Sequence, residues 1–576
     1  MMIIRLRRAA ALPAVIVALL ALVAGCAAVP GSSDMQVVRA MPVGSGLTPP
    51  IGPELGVDPF RLVREFIEAT GSPANGHAAA RAFLTREAAT SWDDRAGLTV
   101  IEDAPGATPQ AGPADDVRRI RVAGPRLGEL SADGSFVPEA GMVALPLDVL
   151  SEQGEWRITN PPSGVVVEAT AFQRNYRQVR VYFVDPNRGI LVPDLRWVPA
   201  QPASTLPGRV LDLLLAGPSQ RLAGAVRSAL PEGTRPRSNV LISRSGRAVI
   251  NLTGLVALAE PDRRLVAAQI VATMDGLLPV PLQLLADGQP LVPGQVEWRT
   301  ADIVSYTSAV GPRPGVTGQV AVGGRLLGLD GAPAPGPAGA GALAVLSAAR
   351  SSPGGEQLAV VVAGPDGRPQ LRAGRAEGDL GVAALDAVSM TRPTWRPSGA
   401  EVWTVINGRT VAGVVVLDTG PSSTYEVDAT ELARLGPITE LRLSQDGVRV
   451  AAVVGGRLVV AAVVTESGVV SLRHPQVLRE GNLLPTAGVD WARPELLVVA
   501  STGLAPQVSS VSVDGLTRRQ LSSTNLTGPV TSIAATPGRE IVVADATGLW
   551  AYSDTQEVWE PLLGGIGPGA VPLYPG

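Results

Sequence analysis

Ser444-Gln445-Asp446-Gly447-Val448-Arg449-Val450-Ala451 is a turn followed by the start of an apolar strand. Asp-Gly supplies the turn, and the β-branched residues after it suit a pleated, half-buried surface. The phrase returns as Ser352-Pro353-Gly354-Gly355-Glu356-Gln357-Leu358-Ala359 and as Arg396-Pro397-Ser398-Gly399-Ala400-Glu401-Val402-Trp403. Weaker versions are Arg493-Pro494-Glu495-Leu496-Leu497 and Thr536-Pro537-Gly538-Arg539-Glu540-Ile541. Their strand residues Leu358, Val402, Val450, Leu496 and Ile541 stand 44, 48, 46 and 45 positions apart. An interval of ~40 to 50 residues is that of a four-stranded propeller blade. Residues 315–576 are therefore expected to form an all-β propeller of five or six blades. A β-sandwich with coincidental turn spacing is the alternative.

Upstream, residues 175–300 read as an α/β unit. Val179, Val181 and Phe183 alternate with Arg180 and Tyr182, as in a half-buried strand. Val210, Leu211, Leu214 and Leu215 form a helical stripe stopped by Gly217-Pro218. Asp287-Gly288 marks a hairpin. Residues 57–170 read as an α+β domain, helices first and sheet after. Asp58 caps a helix with Pro59 at its first position, and Gly71 ends the run of Leu62, Val63, Phe66 and Ile67. A second helix is expected after Pro73, with Ala79, Ala80, Phe83 and Leu84 on one face. His77 at its start is expected to be solvated.

The amino terminus is an address. Arg5, Arg7 and Arg8 precede an apolar run over residues 9–25, and Cys26 follows at once. A basic segment before an apolar stretch of this length is a secretory signal, and it is short of the ~20 residues of a comfortable span. An uncleaved anchor helix is the alternative. Val23-Ala24-Gly25-Cys26 is similar to the bacterial lipobox. Small residues let the extended segment enter the peptidase, and the thiol accepts a diacylglyceryl group. Residues 1–25 are thus expected to be removed between Gly25 and Cys26, with Cys26 S-diacylglycerylated and N-acylated. Residues 26–56, rich in Pro, Gly and Ser, read as a flexible tether.

Composition narrows the chemistry. The 576 residues carry 48 basic side chains, all arginine, against 52 acidic ones, a net charge of -4 that leaves no large footprint for nucleic acid. Without lysine there is no Gly-Lys-Ser/Thr phosphate loop and no Schiff base. One cysteine makes no internal disulfide or cysteine-based zinc site, and two histidines, His77 and His474, make no multi-histidine cluster. Gly339, Gly341 and Ala344 match G-x-G-x-x-A, but they follow a Pro-rich loop rather than a strand. The acid pairs Asp93-Asp94 and Asp115-Asp116 read as solvated surface pairs, and Asn251 and Asn525 open sequons without meaning in a bacterial lipoprotein. No catalytic residue, metal site or cofactor site is expected, and no enzymatic activity.

Taken together, the chain resembles the LpqB lipoproteins of actinobacteria. The middle segment looks like a GerMN domain on Tyr182-Phe183, Leu191-Val192, Arg196, Leu214-Leu215-Ala216-Gly217-Pro218 and Leu230-Pro231-Glu232-Gly233-Thr234. The Asp58-Pro59 helix and residues 79–92 are similar to the family's NTF2-like amino-terminal domain. The resemblance implies a lipid-anchored protein on the outer face of the cytoplasmic membrane. It implies action on the extracytoplasmic part of the sensor kinase MtrB of the MtrA/MtrB pair, and so on cell-wall homeostasis and division. Two other readings stand beside it: a wall-binding module holding glycan or peptide, and a propeller enzyme, which needs acidic side chains converging at the channel mouth.

Overall fold

The computed structural model describes residues 52–576, apart from 115, 153, 243–245, 308–310, 353, 418–421, 479–484, 503–506 and 567–568. The signal, Gly25, the lipidation cysteine Cys26 and nearly all of the tether lie outside the described residues, as do Pro353 and Asp115.

In the first domain the Asp58 carboxylate accepts from the Phe60 N–H at 2.9 Å and caps the helix Pro59–Thr70. The helix buries Leu62, Val63, Phe66 and Ile67 against the sheet, each worth ~1.5–3 kcal/mol of transfer free energy. Gly71 caps its end, and only glycine fits there: a Cβ would meet Ala171 Cβ at 2.8 Å. The expected second helix is two shorter ones, Ala78–Arg81 and Arg86–Ser91. Between them the chain joins the sheet, with Ile158 N–H donating to Phe83 O at 3.0 Å and Thr85 N–H to Ile158 O at 2.9 Å. That pairing breaks the helix where its periodicity alone would continue. The sheet runs Glu155–Ile158, Phe136–Glu152, Val117–Leu130, Leu98–Ile101, Val165–Glu168, and Gly106–Gln110 also pairs with Val117–Leu130.

The second domain opens with a hairpin of Tyr176–Val184 and Leu191–Pro199. The parallel strands Ala248–Leu252 and Leu282–Ala286 are joined through the helix Glu260–Met274, the crossover that parallel pairing demands. The helix Leu206–Ala216 buries Val210, Leu211 and Leu214 and stops at Gly217, whose φ is 92°. Asp287 and Gly288 both take positive φ, 48° and 86°, the geometry of a two-residue type I′ hairpin. Asn251 Oδ1 accepts from Gly288 N–H at 3.1 Å, so this sequon asparagine pins a turn.

Six sheets follow in a ring. Five have four strands and run in sequence order: blade 2 from Val345–Arg350, blade 3 from Thr394–Trp395, blade 4 from Ile438–Leu443, blade 5 from Thr486–Arg493 and blade 6 from Ser532–Ala534. Blade 1 has three strands, Arg325–Gly328, Gln319–Val322 and, at its inner edge, the carboxy-terminal Val571–Leu573. The ring is thus closed by pairing its last strand with its first, Gln319 opposite Leu573.

Two blades carry the same stitch. Trp395 Nε1–H donates back to Ala349 O of blade 2 at 3.0 Å, and Trp491 Nε1–H donates back to Arg442 O of blade 4 at 3.0 Å. The residue before each tryptophan reaches forward. Thr394 Oγ1 accepts from Leu443 N–H of blade 4 at 3.1 Å, and Asp490 Oδ2 accepts from Ala535 N–H just past the inner strand of blade 6 at 3.2 Å. Both indoles are almost fully buried, so each stitch works in a low-dielectric core where an unpaired N–H is costly.

Candidate functional site

Every inner strand begins on one face of the propeller, and there the channel opens into a cavity of about 500 Å³. Its wall takes in Ser347, Thr391, Glu440, Gly488, Ser532 and Val571, one from the inner part of each blade. Leu346 and Val388 stand on its rim 50% and 69% exposed. The floor is a charged quartet. Arg392 Nε donates to Glu440 Oε1 at 3.1 Å, and its Nη1 donates to Ile533 O at 3.2 Å and Pro572 O at 2.9 Å. Arg442 Nε donates to Asp490 Oδ1 at 3.4 Å and its Nη1 to Pro393 O at 2.6 Å. Arg392 also lies 3.5 Å from Asp490.

Burial pushes the Glu440 carboxyl up, against the pull of the Arg392 and Arg442 guanidinium groups. Acidic side chains therefore do converge in the channel, as a propeller enzyme requires, but each is matched by an arginine. The quartet touches blades 3, 4, 5, 6 and 1, and what it does with that reach is bind the ring. Among the described residues, no group of three or more His, Cys, Asp or Glu side chains is placed to hold a metal ion.

The opposite face is occupied by the second domain. Two turns of identical wiring receive it. In Ser444-Gln445-Asp446-Gly447 the serine hydroxyl donates to Asp446 Oδ1, which also accepts from Val448 N–H at 3.2 Å. In Ser512-Val513-Asp514-Gly515 the serine hydroxyl donates to Asp514 Oδ1, which accepts from Leu516 N–H at 3.2 Å. Around the first turn, Arg449 donates to Asp446 at 2.7 Å and to Pro193 O of the second-domain hairpin. Around the second, Asp514 Oδ2 accepts from Trp197 Nε1–H at 2.8 Å and from Gln178 Nε2–H at 3.3 Å.

The hairpin strand Leu191–Pro199 is buried on both faces over nearly its whole length. Trp197 packs into the core of the first domain, Val192 and Val198 into that of the second, and Leu195 among Ala451, Leu458 and Trp491 of the propeller. Conversely, Val448, Ala462 and Val464 of the propeller complete the second domain's core, and Leu516 completes the first's. Arg196 is the polar pivot of this junction, wholly buried. It bonds Asp194 at 2.7 Å, Gly217 O at 3.1 Å and Asp133 O of the first domain. Burial alone would push the Asp194 carboxyl up, but Arg196, Arg221 and the Ser219 N–H hold it below the usual carboxylate range.

His77 is a correction. It is 8% exposed rather than solvated, with Nδ1 2.9 Å from Asp94 Oδ2, and the same carboxylate takes Arg81 at 3.1 Å. Asp94 is accordingly not a solvated surface acid, whereas Asp93 stays exposed and accepts from Arg95 N–H. The left-handed backbone of His77, at φ 53°, turns the ring inward toward Trp92. His474 is exposed and its N–H is held by Glu431 at 3.1 Å. Gly339, Gly341 and Ala344 lie outside the strands, and Asn525 bonds the Trp559 carbonyl at 3.0 Å.

These three parts, an α+β domain, an α/β domain and a propeller joined through common cores, define a multidomain propeller protein. Family models match in the same order: the Lipoprotein LpqB N-terminal domain over residues 52–173, the sporulation and spore germination (Germane) domain over 180–292, and the Lipoprotein LpqB beta-propeller domain over 324–575. The chain is 34% identical to Lipoprotein LpqB of Nocardia farcinica (strain IFM 10152), covering 99% of each. It is 32% identical to that of Rhodococcus opacus (strain B4), over 98% of this chain and 97% of the relative. It is 33% identical to that of Mycobacterium tuberculosis (strain CDC 1551 / Oshkosh), over 96% and 98%. The chain belongs to the LpqB lipoprotein family. Among solved structures, the nidogen/laminin complex aligns with a TM-score of 0.35 at 11% identity, covering 45% of this chain and 98% of that one. No helix among the described residues is long and apolar enough to cross a membrane.

Proposed function

We propose that this protein is a membrane-anchored, extracytoplasmic lipoprotein that modulates the MtrA/MtrB two-component system through the extracellular domain of the sensor kinase MtrB, and thereby cell-wall homeostasis and division. The lipobox at residues 23–26 and membership of the LpqB family support the anchor. The observation that carries the reading is the junction. With all three domains sharing cores, the anchored protein presents one fixed surface rather than three independent ones. Lipid attachment confines that surface near the kinase's outer domain and raises its effective concentration without strong contacts. To change signalling it must bind two kinase states with unequal affinity, because equal binding shifts nothing. The propeller face bearing Leu346 and Val388 is the surface left open by the second domain, and its apolar rim suits a protein partner.

Crosslinking in membranes followed by mass spectrometry, with wild type beside Cys26→Ala, tests this. Wild type is expected to capture the kinase in the membrane fraction, and the variant to leave that fraction and lose the capture. A variant that stays membrane-bound, or a wild type that never captures the kinase, defeats the reading.

A further inference from the structure

Between the second domain's turn at residues 185–189 and blades 3 and 4 lies a cleft of about 450 Å³, within the ~300–1,000 Å³ range of small-ligand sites. Two guanidinium groups face into it from different domains, Arg188 on the turn and Arg396 at the mouth of the blade 3 repeat phrase. Arg188 makes a single side-chain hydrogen bond among the described residues, to the Asp446 carbonyl at 3.3 Å. Partial desolvation by the cleft wall holds its pKa down and the neighbouring Arg396 adds to that, against the attraction of Asp185 and Asp446. Arg396 lies over the Trp403 ring at 5.5 Å and reaches Glu401 Oε2 at 3.5 Å.

The wall behind them is prepared. Tyr425 OH donates to Glu401 Oε2 at 2.6 Å and accepts from Trp403 Nε1–H at 3.0 Å, and Trp403 is wholly buried. Tyr425 is itself held over Gly413, where a Cβ would strike the ring at 2.3 Å. Glu401 thus has Oε2 engaged by both neighbours, while its Oε1 accepts no hydrogen bond among the described residues. The cleft offers two under-used cations and one free carboxylate oxygen. Arg188 and Arg396 are balanced by Asp185 and Glu401, so a dianion gains little there. A monoanion carrying an N–H donor beside its charge fits both halves. Paired guanidinium forks suit a planar carboxylate, and the free oxygen suits the amide next to it.

We propose that this cleft binds the free carboxy-terminal end of a short peptide, its carboxylate between Arg188 and Arg396 and its last amide N–H on Glu401. The site differs from the propeller face assigned to the kinase, and the two stand or fall separately. Calorimetric titration of the full chain in detergent with alanyl-alanyl-alanine, its carboxy-terminal amide and inorganic phosphate tests it. Saturable binding of the free acid is expected, at least tenfold weaker for the amide, and at least tenfold weaker again in Arg188→Ala and in Arg396→Gln. Arg188 is exposed, so Arg188→Ala should keep the wild-type thermal midpoint, which serves as the check on folding. No saturable binding, equal binding of acid and amide, or unchanged binding in Arg188→Ala overturns the proposal. So does phosphate binding as tightly as the peptide, because the cleft is then a general anion site.

Discussion

The indole Nε1 of Trp197 donates to Oδ2 of Asp514 at 2.8 Å, across 317 positions of sequence. The bond ties the second domain's hairpin to the propeller at a point where both partners are buried. Asp514→Ala strands the indole, Gln178 and the Leu516 amide together, and should cost about 3 kcal/mol, with Asp514→Asn milder because it keeps one acceptor. Scanning calorimetry should show the wild-type unit melting as one transition and Asp514→Ala separating into two. A single transition of unchanged midpoint would mean the bond contributes nothing.

Arg196 holds one carboxylate and two carbonyls from two domains at once. Arg196→Met takes from buried Asp194 its hydrogen-bonded counter-charge and leaves only the more distant Arg221, and should lower stability by about 3–5 kcal/mol. Arg196→Lys should recover only part of this, since an ammonium cannot span the same fork. Urea midpoints for the two variants give the comparison; a lysine variant as stable as wild type argues against the geometric reading.

The depressed carboxyl of Asp194 makes a pH prediction with a definite sign. Its folded pKa lies below its unfolded value, so its contribution is fully present above the ordinary aspartate value of ~3.9 and is lost as pH falls through the folded value. Asp94, where burial is outweighed by His77 and Arg81, behaves the same way. Melting curves from neutral pH down should fall steeply only in that acid window, and Asp194→Asn should flatten the fall. An identical acid profile in the variant would remove Asp194 from the account.

In the channel the members of the quartet should be unequal. Arg392→Ala releases two carbonyls and a carboxylate from three blades, at a cost of about 3–5 kcal/mol. Glu440→Gln keeps an acceptor for Arg392 and removes a charge whose burial is already unfavourable, so the change should stay within about 1 kcal/mol. Guanidinium denaturation of both variants checks the order, and a glutamine variant as damaged as the alanine one would reverse it.

What was legible in the sequence was local. Asp58-Pro59 as a helix start, Asp287-Gly288 as a hairpin turn and the turn phrases of the propeller all depend on neighbours a few positions away. The strand Leu191–Pro199 was not legible as a strand buried on both faces, because Asp194 and Arg196 look like surface residues until each is seen to answer the other. The quartet did leave a trace. Arg392 and Glu440 are 48 positions apart, and so are Arg442 and Asp490. Charges entering inner strands at the blade interval were the available signal. His77 left none, since only the left-handed turn at its own backbone brings it inside.

The pairing of Gln319 with Leu573 also sets an order in time. Blade 1 offers its inner edge while the chain is still emerging, and the strand that fills it, Val571–Leu573, follows the other five blades in sequence. Until then the ring is an open arc with an unpaired edge, and the second domain also waits for Val448 and Val464 to finish its interior. Long-range pairing of this kind makes folding slow and exposed. A chain of this design must therefore deliver all six blades before its ring can close. A nonsense mutation near the carboxy terminus would release an arc rather than a shorter protein.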